Sequence, residues 1–235
     1  TLWSAKPLDI TIEQRGRGLA VKETEIDQLP AWCPELHLNG DRSFCLGLRA
    51  VQITDLRLAR QWWADLEVHL RLLSVALKTG VWPHHSELDH GSAGEHQAKA
   101  RRLAEKLDLV EEYALAEIGE DNWISDLRME LVREDGLPAN VRQACPCGNH
   151  SSEGATHSFK RCSRRHQIVM LVLLERLRRL ELEAFWSTNE QAGAQCCGRV
   201  RDCPLAIGRV QPATKTLLGK TRRALARYAS PVREL

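Results

Sequence analysis

Two short alternations of apolar and polar residues open the readable pattern. Residues 9–14 set Ile10 and Ile12 between polar neighbours, and residues 19–26 mix Leu19 and Val21 with charges, so both predict half-buried strands. Arg15-Gly16-Arg17-Gly18 joins them as the turn of a hairpin. Leu29-Pro30 and Cys33-Pro34 then interrupt regular structure, which leaves the chain up to Cys45 as a loop fixed by side chains. From Thr54 or Asp55, either of which can cap a helix, the period changes. Leu56, Ala59, Trp63, Leu66, Leu70, Leu73 and Leu77 recur on one helical face up to Lys78, and Gly80 supplies the stop. The tryptophans of this helix read as core and platform.

A polar connector follows, with His84, His85, Glu87, Asp89, His90, Glu95 and His96. It could bind a metal, but no motif spacing demonstrates convergent ligands, and a solvated linker capping the next helix is the preferred reading. Residues 95–132 predict a helix interrupted near Gly119, with Leu103, Leu107, Val110, Tyr113, Leu115 and Ile118 as its apolar stripe. Asp135-Gly136-Leu137-Pro138 marks a break. Residues 167–185 predict a long amphipathic helix, with Met170, Leu173, Leu174, Leu177 and Leu180 inward and Arg176, Arg178 and Arg179 outward. The sequence then carries a turn at Cys196-Cys197-Gly198 through Cys203-Pro204 and a basic tail with Lys215, Lys220, Arg222, Arg223 and Arg227. The pattern as a whole predicts an α+β fold: a small antiparallel sheet with covering helices, then a mostly helical region.

Charge sharpens the division. Residues 1–136 hold 16 Lys and Arg against 24 Asp and Glu, whereas residues 137–235 hold 17 against 7, so the net charge of +2 hides two opposed regions. We therefore expect two domains, 1–136 and a basic 137–235. The longest apolar run, residues 168–174, stops at Glu175, too short to cross a membrane as a helix. The residues carry no secretory-signal pattern, and eight cysteines in tight clusters suit metal ligation and thiol chemistry in a reducing cytoplasm better than a disulfide framework. Nucleic acid is an unlikely partner, because the basic residues lack aromatic interleaving or a groove-reading motif.

The candidate chemistry centres on His37-Leu38-Asn39-Gly40-Asp41-Arg42-Ser43-Phe44-Cys45-Leu46. A thiol can attack an activated carbonyl and carry the acyl group, while an amide steadies the oxyanion. Cys45 supplies the thiol and Asn39 the donor; a short buried strand at residues 44–46 is the plain structural alternative. The stretch resembles the active-site segment of ubiquitin-conjugating enzymes, in which a His-Pro-Asn turn precedes the acceptor cysteine and Cys-Leu follows. Leu38 stands in the place of the proline, and Asn39 is closer to Cys45 than in eukaryotic members. The resemblance covers roughly residues 8–80 and is nearest to divergent bacterial ubiquitin-conjugating-like proteins, encoded beside activating-enzyme-like and deubiquitinase-like partners. It implies a thioester on Cys45, Asn39 at the oxyanion or the loop, His37 holding the turn, and transfer to an amine of a target protein. It further implies an activating-enzyme-like partner that spends ATP, a ubiquitin-like modifier, and a setting in antiphage defence. Asp41, Asp55, Asp89 and His90 are alternative groups to take the amine's proton. Cys33, in Trp32-Cys33-Pro34, reads as structural.

Cys145-Pro146-Cys147-Gly148, then Cys162 and His166, form the second cluster. Two thiolates one residue apart can take adjacent corners of a tetrahedron, and a later Cys and His can close it around zinc. The pattern resembles the zinc motif at the tail of the SecA translocase, where Cys-Pro-Cys-Gly leads to an aromatic-Lys-x-Cys ending. The ligand set is Cys145, Cys147, Cys162 and His166, with Cys197 and Cys203 as rivals for the fourth place. If Cys45 is inert, the alternative is a non-catalytic zinc adaptor whose basic half binds nucleic acid or a protein partner. A third class, a hydrolase with its catalytic metal on the histidine connector, also stays open.

Overall fold

A computed structural model describes residues 7–16, 18–25, 28–47, 52–83, 88–120, 122–125, 133, 138–139, 141–146, 157–201, 203–206, 218–219, 221–223 and 225–226. In chain order these form β1 (Ile10–Arg15), β2 (Gly18–Glu23), α1 (Leu56–Thr79), α2 (Ser92–Leu107), α3 (Val110–Glu117) and α4 (Arg165–Gln191), with short 3-10 turns at Pro34–Leu36 and Phe159–Arg161. The fold is α+β with a small two-stranded antiparallel sheet, as expected. The chain divides into two compact units. The first contains Thr1–Glu87 and Ala192–Arg209, and the second Leu88–Gln191 and Val210–Leu235. Among the described residues no helix is long and apolar enough to cross a membrane.

In the first unit the hairpin pairs Ile12 with Val21 and Ile10 with Glu23, within a residue or a few of the strands expected from the alternation. Val21 turns into the core, and the buried Glu23 carboxylate accepts the backbone N–H groups of Gln28 and Leu29 at 2.8 and 3.1 Å, which ties down the chain leaving β2. The Asp55 side chain caps α1 by accepting from the Leu58 N–H at 2.8 Å, and Gly80 ends it with φ 73°. A side chain at Gly80 would be strained by that backbone angle, and its Cβ would lie 3.1 Å from Arg201 Cγ; the Arg201 N–H donates to the Gly80 carbonyl at 2.6 Å. The buried face of α1 is turned by about one residue from expectation. Trp62, Leu66, His69, Leu73 and Ala76 are buried, whereas Leu56 is exposed and Trp63 is 56% exposed. The partner surface decides this: the His69 ring stacks on Phe44 with centroids 5.2 Å apart and meets Trp82 at 5.5 Å.

In the second unit α2 packs on α4 through a row of small residues, Ala93, Gly94, Ala100 and Ala104. The helix expected over 95–132 is two helices within the described residues. Asp108 adopts φ 60° and closes α2, so α3 leaves in a new direction with Leu107 and Tyr113 buried but Val110, Leu115 and Ile118 exposed. Residues 126–132 lie outside the described residues. α4 also departs from its expected amphipathic form. Arg176 and Arg178 are buried rather than outward, and Arg179 is half-buried. The cause is Glu175, wholly buried, whose carboxylate accepts from both Arg178 (2.7 Å) and Arg179 (2.8 Å); Arg178 also pairs with Asp89. A buried guanidinium survives only with such partners.

Candidate functional site

Cys45 ends a second, tighter hairpin. Its N–H donates to the His37 carbonyl at 2.7 Å, the Asn39 N–H to the Ser43 carbonyl at 2.9 Å, and the Arg42 N–H to the Asn39 carbonyl at 2.9 Å. The hairpin is anchored at both sides. The Phe44 N–H donates to the Val21 carbonyl of β2, and the Leu38 N–H to the Cys33 carbonyl. Leu38, Ser43 and Phe44 are buried, whereas Asn39 at the turn is exposed. Cys45 is half-buried, which leaves part of it open, and the neighbouring residues Leu46 and Gly47 are half-buried and exposed. The buried-strand alternative fits Phe44, not Cys45.

The polar residues of the turn are held by one another. The Asn39 side-chain amide donates to the Ser43 hydroxyl at 3.0 Å, and that hydroxyl donates to Asp41 at 2.6 Å. Arg15 of β1 pairs with Asp41. The bonds from the Ser43 hydroxyl and N–H, with Arg15, pull the Asp41 carboxyl down to about 2, so it is a weak base at neutral pH. His37 adopts φ 51°, and its buried ring lies 4.6 Å from Trp82 and 6.4 Å from His69. His69 was not anticipated at the site, although the helical spacing 62–66–69–73 would have placed it on the buried stripe. A cavity of about 190 Å³ beside the turn is lined by Lys22, Glu23, Leu29, Leu38, Asp41 and Arg42 among others.

The other proton acceptors have structural duties. Asp55 caps α1, Asp89 pairs with Arg178, and the His90 ring packs against Phe185 and Trp186 with centroids 5.3 and 5.4 Å away. Burial holds His90 down to about 4, against the raising effect of Asp89. His84, His85 and Glu87 lie outside the described residues.

Of the expected zinc ligands, Cys145 and Cys162 are buried in the core of the second unit around Phe159. A short ladder aligns their strands: the Cys145 N–H donates to the His157 carbonyl at 2.7 Å, and the Phe159 N–H to the Gln143 carbonyl at 2.9 Å. His166 is exposed on the first turn of α4, and Cys147 lies outside the described residues. Two buried thiols beside a short turn suit a zinc donor pair, though among the described residues no three His, Cys, Asp or Glu side chains are gathered as a metal-holding group. The rival donors Cys197 and Cys203 belong to the first unit, where Cys197 Sγ stands 3.0 Å from Cys33 Sγ. Part of the basic excess is spent internally, with Arg178, Arg179 and Arg222 on Glu175 and Glu181. Lys215, Lys220 and Arg227 lie outside the described residues.

Two family models match the chain in succession. Residues 1–84 match a prokaryotic E2 domain, and residues 89–205 match a cysteine-rich domain C-terminal to E2 domain. The two matches, in this order along the chain, support an E2-like bacterial protein, and the thiol-bearing hairpin lies within the first of them. No curated protein and no solved structure matches the chain.

Proposed function

We propose that this chain is a conjugating enzyme that accepts the C-terminus of a ubiquitin-like modifier as a thioester on Cys45 and passes it to an amine of a target protein. The observation that carries this reading is the position of Cys45: half-buried and so partly open, at the end of a hydrogen-bonded hairpin, within the stretch similar to a prokaryotic E2 domain. The Cys45 thiolate attacks the modifier's thioester carbonyl on an activating-enzyme-like partner, whose own thiolate leaves. The target amine then attacks the new thioester, the Cys45 thiolate departs and an amide remains, the amine's proton passing to solvent or a nearby base. ATP is spent by the partner, which must adenylate the modifier first.

Asn39 serves this reading through the loop more than through the oxyanion, since its amide is bonded to Ser43. His37 contributes the carbonyl that fixes the Cys45 backbone and a ring packed on Trp82. Zinc, in the same reading, is a cross-link held by Cys145, Cys147, Cys162 and His166, and takes no part in the transfer. The setting is a bacterial cytoplasm and a conjugation operon used against phage.

The test is incubation of the full chain with an activating enzyme encoded beside it, ATP and the modifier, followed by gels with and without reductant. A reductant-sensitive adduct is expected, absent from Cys45→Ala and converted to a reductant-resistant, hydroxylamine-sensitive ester in Cys45→Ser. An unchanged adduct in Cys45→Ala would place the acceptor on another residue.

A further inference from the structure

Two thiols from distant parts of the chain touch inside the first unit. Cys33, in the turn before the hairpin, and Cys197, in the segment that returns to this unit 164 residues later, bring their sulfurs to 3.0 Å. Other contacts dock the same segment. The Arg199 side chain donates to the Gln28 carbonyl at 2.6 Å, and the Arg201 N–H donates to the Gly80 carbonyl at 2.6 Å. Cys197 and Val200 pack against the core that holds Val21, Leu36 and Leu38. The fold therefore sets the sulfur–sulfur contact, not the reach of two loose side chains. Both cysteines are free thiols, and they meet solvent unequally: Cys33 is 3% exposed, whereas Cys197 is half-buried.

We propose that Cys33 and Cys197 are a peroxide-sensitive thiol pair, which oxidation joins as a disulfide that fastens the returning segment to the base of the hairpin. A disulfide needs its sulfurs at about 2.05 Å, so each has to move by about 0.5 Å, which small rotations about the two Cα–Cβ bonds cover. Exposure sets the order of events. The Cys197 thiolate attacks one oxygen of hydrogen peroxide, the O–O bond breaks, and the departing hydroxide takes up a proton as water, leaving Cys197 as a sulfenic acid. Cys33 then gives up its proton and attacks the Cys197 sulfur. The S–S bond forms, the S–O bond breaks, and the hydroxide leaves with that proton as a second water. The two thiols lose two electrons and the peroxide gains them. In a reducing compartment such a disulfide is transient and redox-sensing rather than a permanent staple.

The bond acts on the hairpin. Cys33 donates its N–H to the Leu38 carbonyl at 3.4 Å and accepts from the Leu38 N–H at 3.0 Å, and the Cys45 N–H is bonded to the neighbouring His37 carbonyl at 2.7 Å. A cross-link at Cys33 thus adds a covalent tie beside the strand that ends in Cys45. It also closes a loop of 164 residues, and a long closed loop restricts the unfolded chain most.

Peptide mapping of the full, folded chain, treated with a small excess of hydrogen peroxide and then alkylated, tests this. The expected product is a linked Cys33–Cys197 peptide, lighter by two hydrogens than its two parts and split by a dithiol reductant. Cys33→Ser and Cys197→Ser should each lose it, and Cys45→Ala should keep it. The oxidised unmodified chain should unfold at a higher urea concentration than the reduced one, a shift that vanishes in Cys197→Ser. The mapping needs neither a variant nor transfer activity, so its result stands whether or not the serine chains fold and whatever Cys45 does. A peptide that joins Cys197 to Cys196 or Cys203 in place of Cys33 overturns the proposal. So does a Cys197 sulfinic acid beside an alkylated Cys33, or a chain whose Cys33 and Cys197 both stay reduced under peroxide.

Discussion

α1 and α4 have nearly the same length, 24 and 27 residues, but they meet solvent in opposite ways. α1 buries one stripe and leaves Trp63, Val68 and Val75 exposed, whereas α4 buries a continuous run from Leu171 to Arg178. The charges of α1 sit at the surface, as in the Glu67–Arg71 pair at 2.9 Å; in the middle turns of α4 Glu175 and Arg178 are enclosed and answer one another. A charged residue therefore marks solvent only where no partner of opposite sign can be folded in beside it.

Glu175→Ala tests that contrast most strongly. It leaves Arg178 and Arg179 without their shared carboxylate in a buried setting, and should destabilise the second unit by about 3–5 kcal/mol in urea titration. Glu67→Ala on α1 should cost less than about 0.5 kcal/mol in the same assay, since its pair is exposed. Equal losses at the two sites would mean that the α4 network carries no special weight.

The rotation of α1 makes the next prediction. Leu66→Ala should cost about 2–5 kcal/mol, because Leu66 is buried among Val21, Leu38 and Phe44, while Trp63→Ala should change stability by at most about 0.5 kcal/mol. The reverse order would restore the face that periodicity alone suggests. Periodicity cannot separate Trp62 from Trp63, since both lie near the edge of the same stripe; the choice falls to Phe44 and Trp82, which sit against His69. Caps behave otherwise. Asp55 and Gly80 act on backbone groups within a few residues, so both ends of α1 were legible. The Asn39–Ser43 bond was not legible, nor was the Cys33–Cys197 contact across 164 residues. Local chemistry writes itself into spacing, whereas pairing across the fold leaves no mark in either segment.

The second unit should also be the more sensitive to acid. The unfolded chain protonates His90 near pH 6.5, whereas the folded chain, with the ring held between Phe185 and Trp186, resists protonation until about pH 4. Because the unfolded state binds the proton first, stability is whole above about pH 6.5 and falls on acidification toward 4, by up to about 3 kcal/mol. His90→Phe should flatten that part of the pH profile while leaving the stability near pH 8 little changed. A profile of unaltered slope would mean that other groups govern the acid response.

The smallest effect concerns the cap that positions α1 after the hairpin. Asp55→Ala removes the acceptor for the Leu58 N–H and should cost about 1 kcal/mol, whereas Asp55→Asn, which keeps an oxygen acceptor, should cost a few tenths. This pair of variants also separates two roles for the same carboxylate. If Asp55 only caps, Asp55→Asn retains both stability and transfer to the amine; if it also takes the amine's proton, Asp55→Asn retains stability and thioester formation on Cys45 but slows discharge, most visibly below neutral pH. Asp41 cannot stand in for it cheaply, since Ser43 and Arg15 already hold that carboxylate in its ionised, weakly basic form.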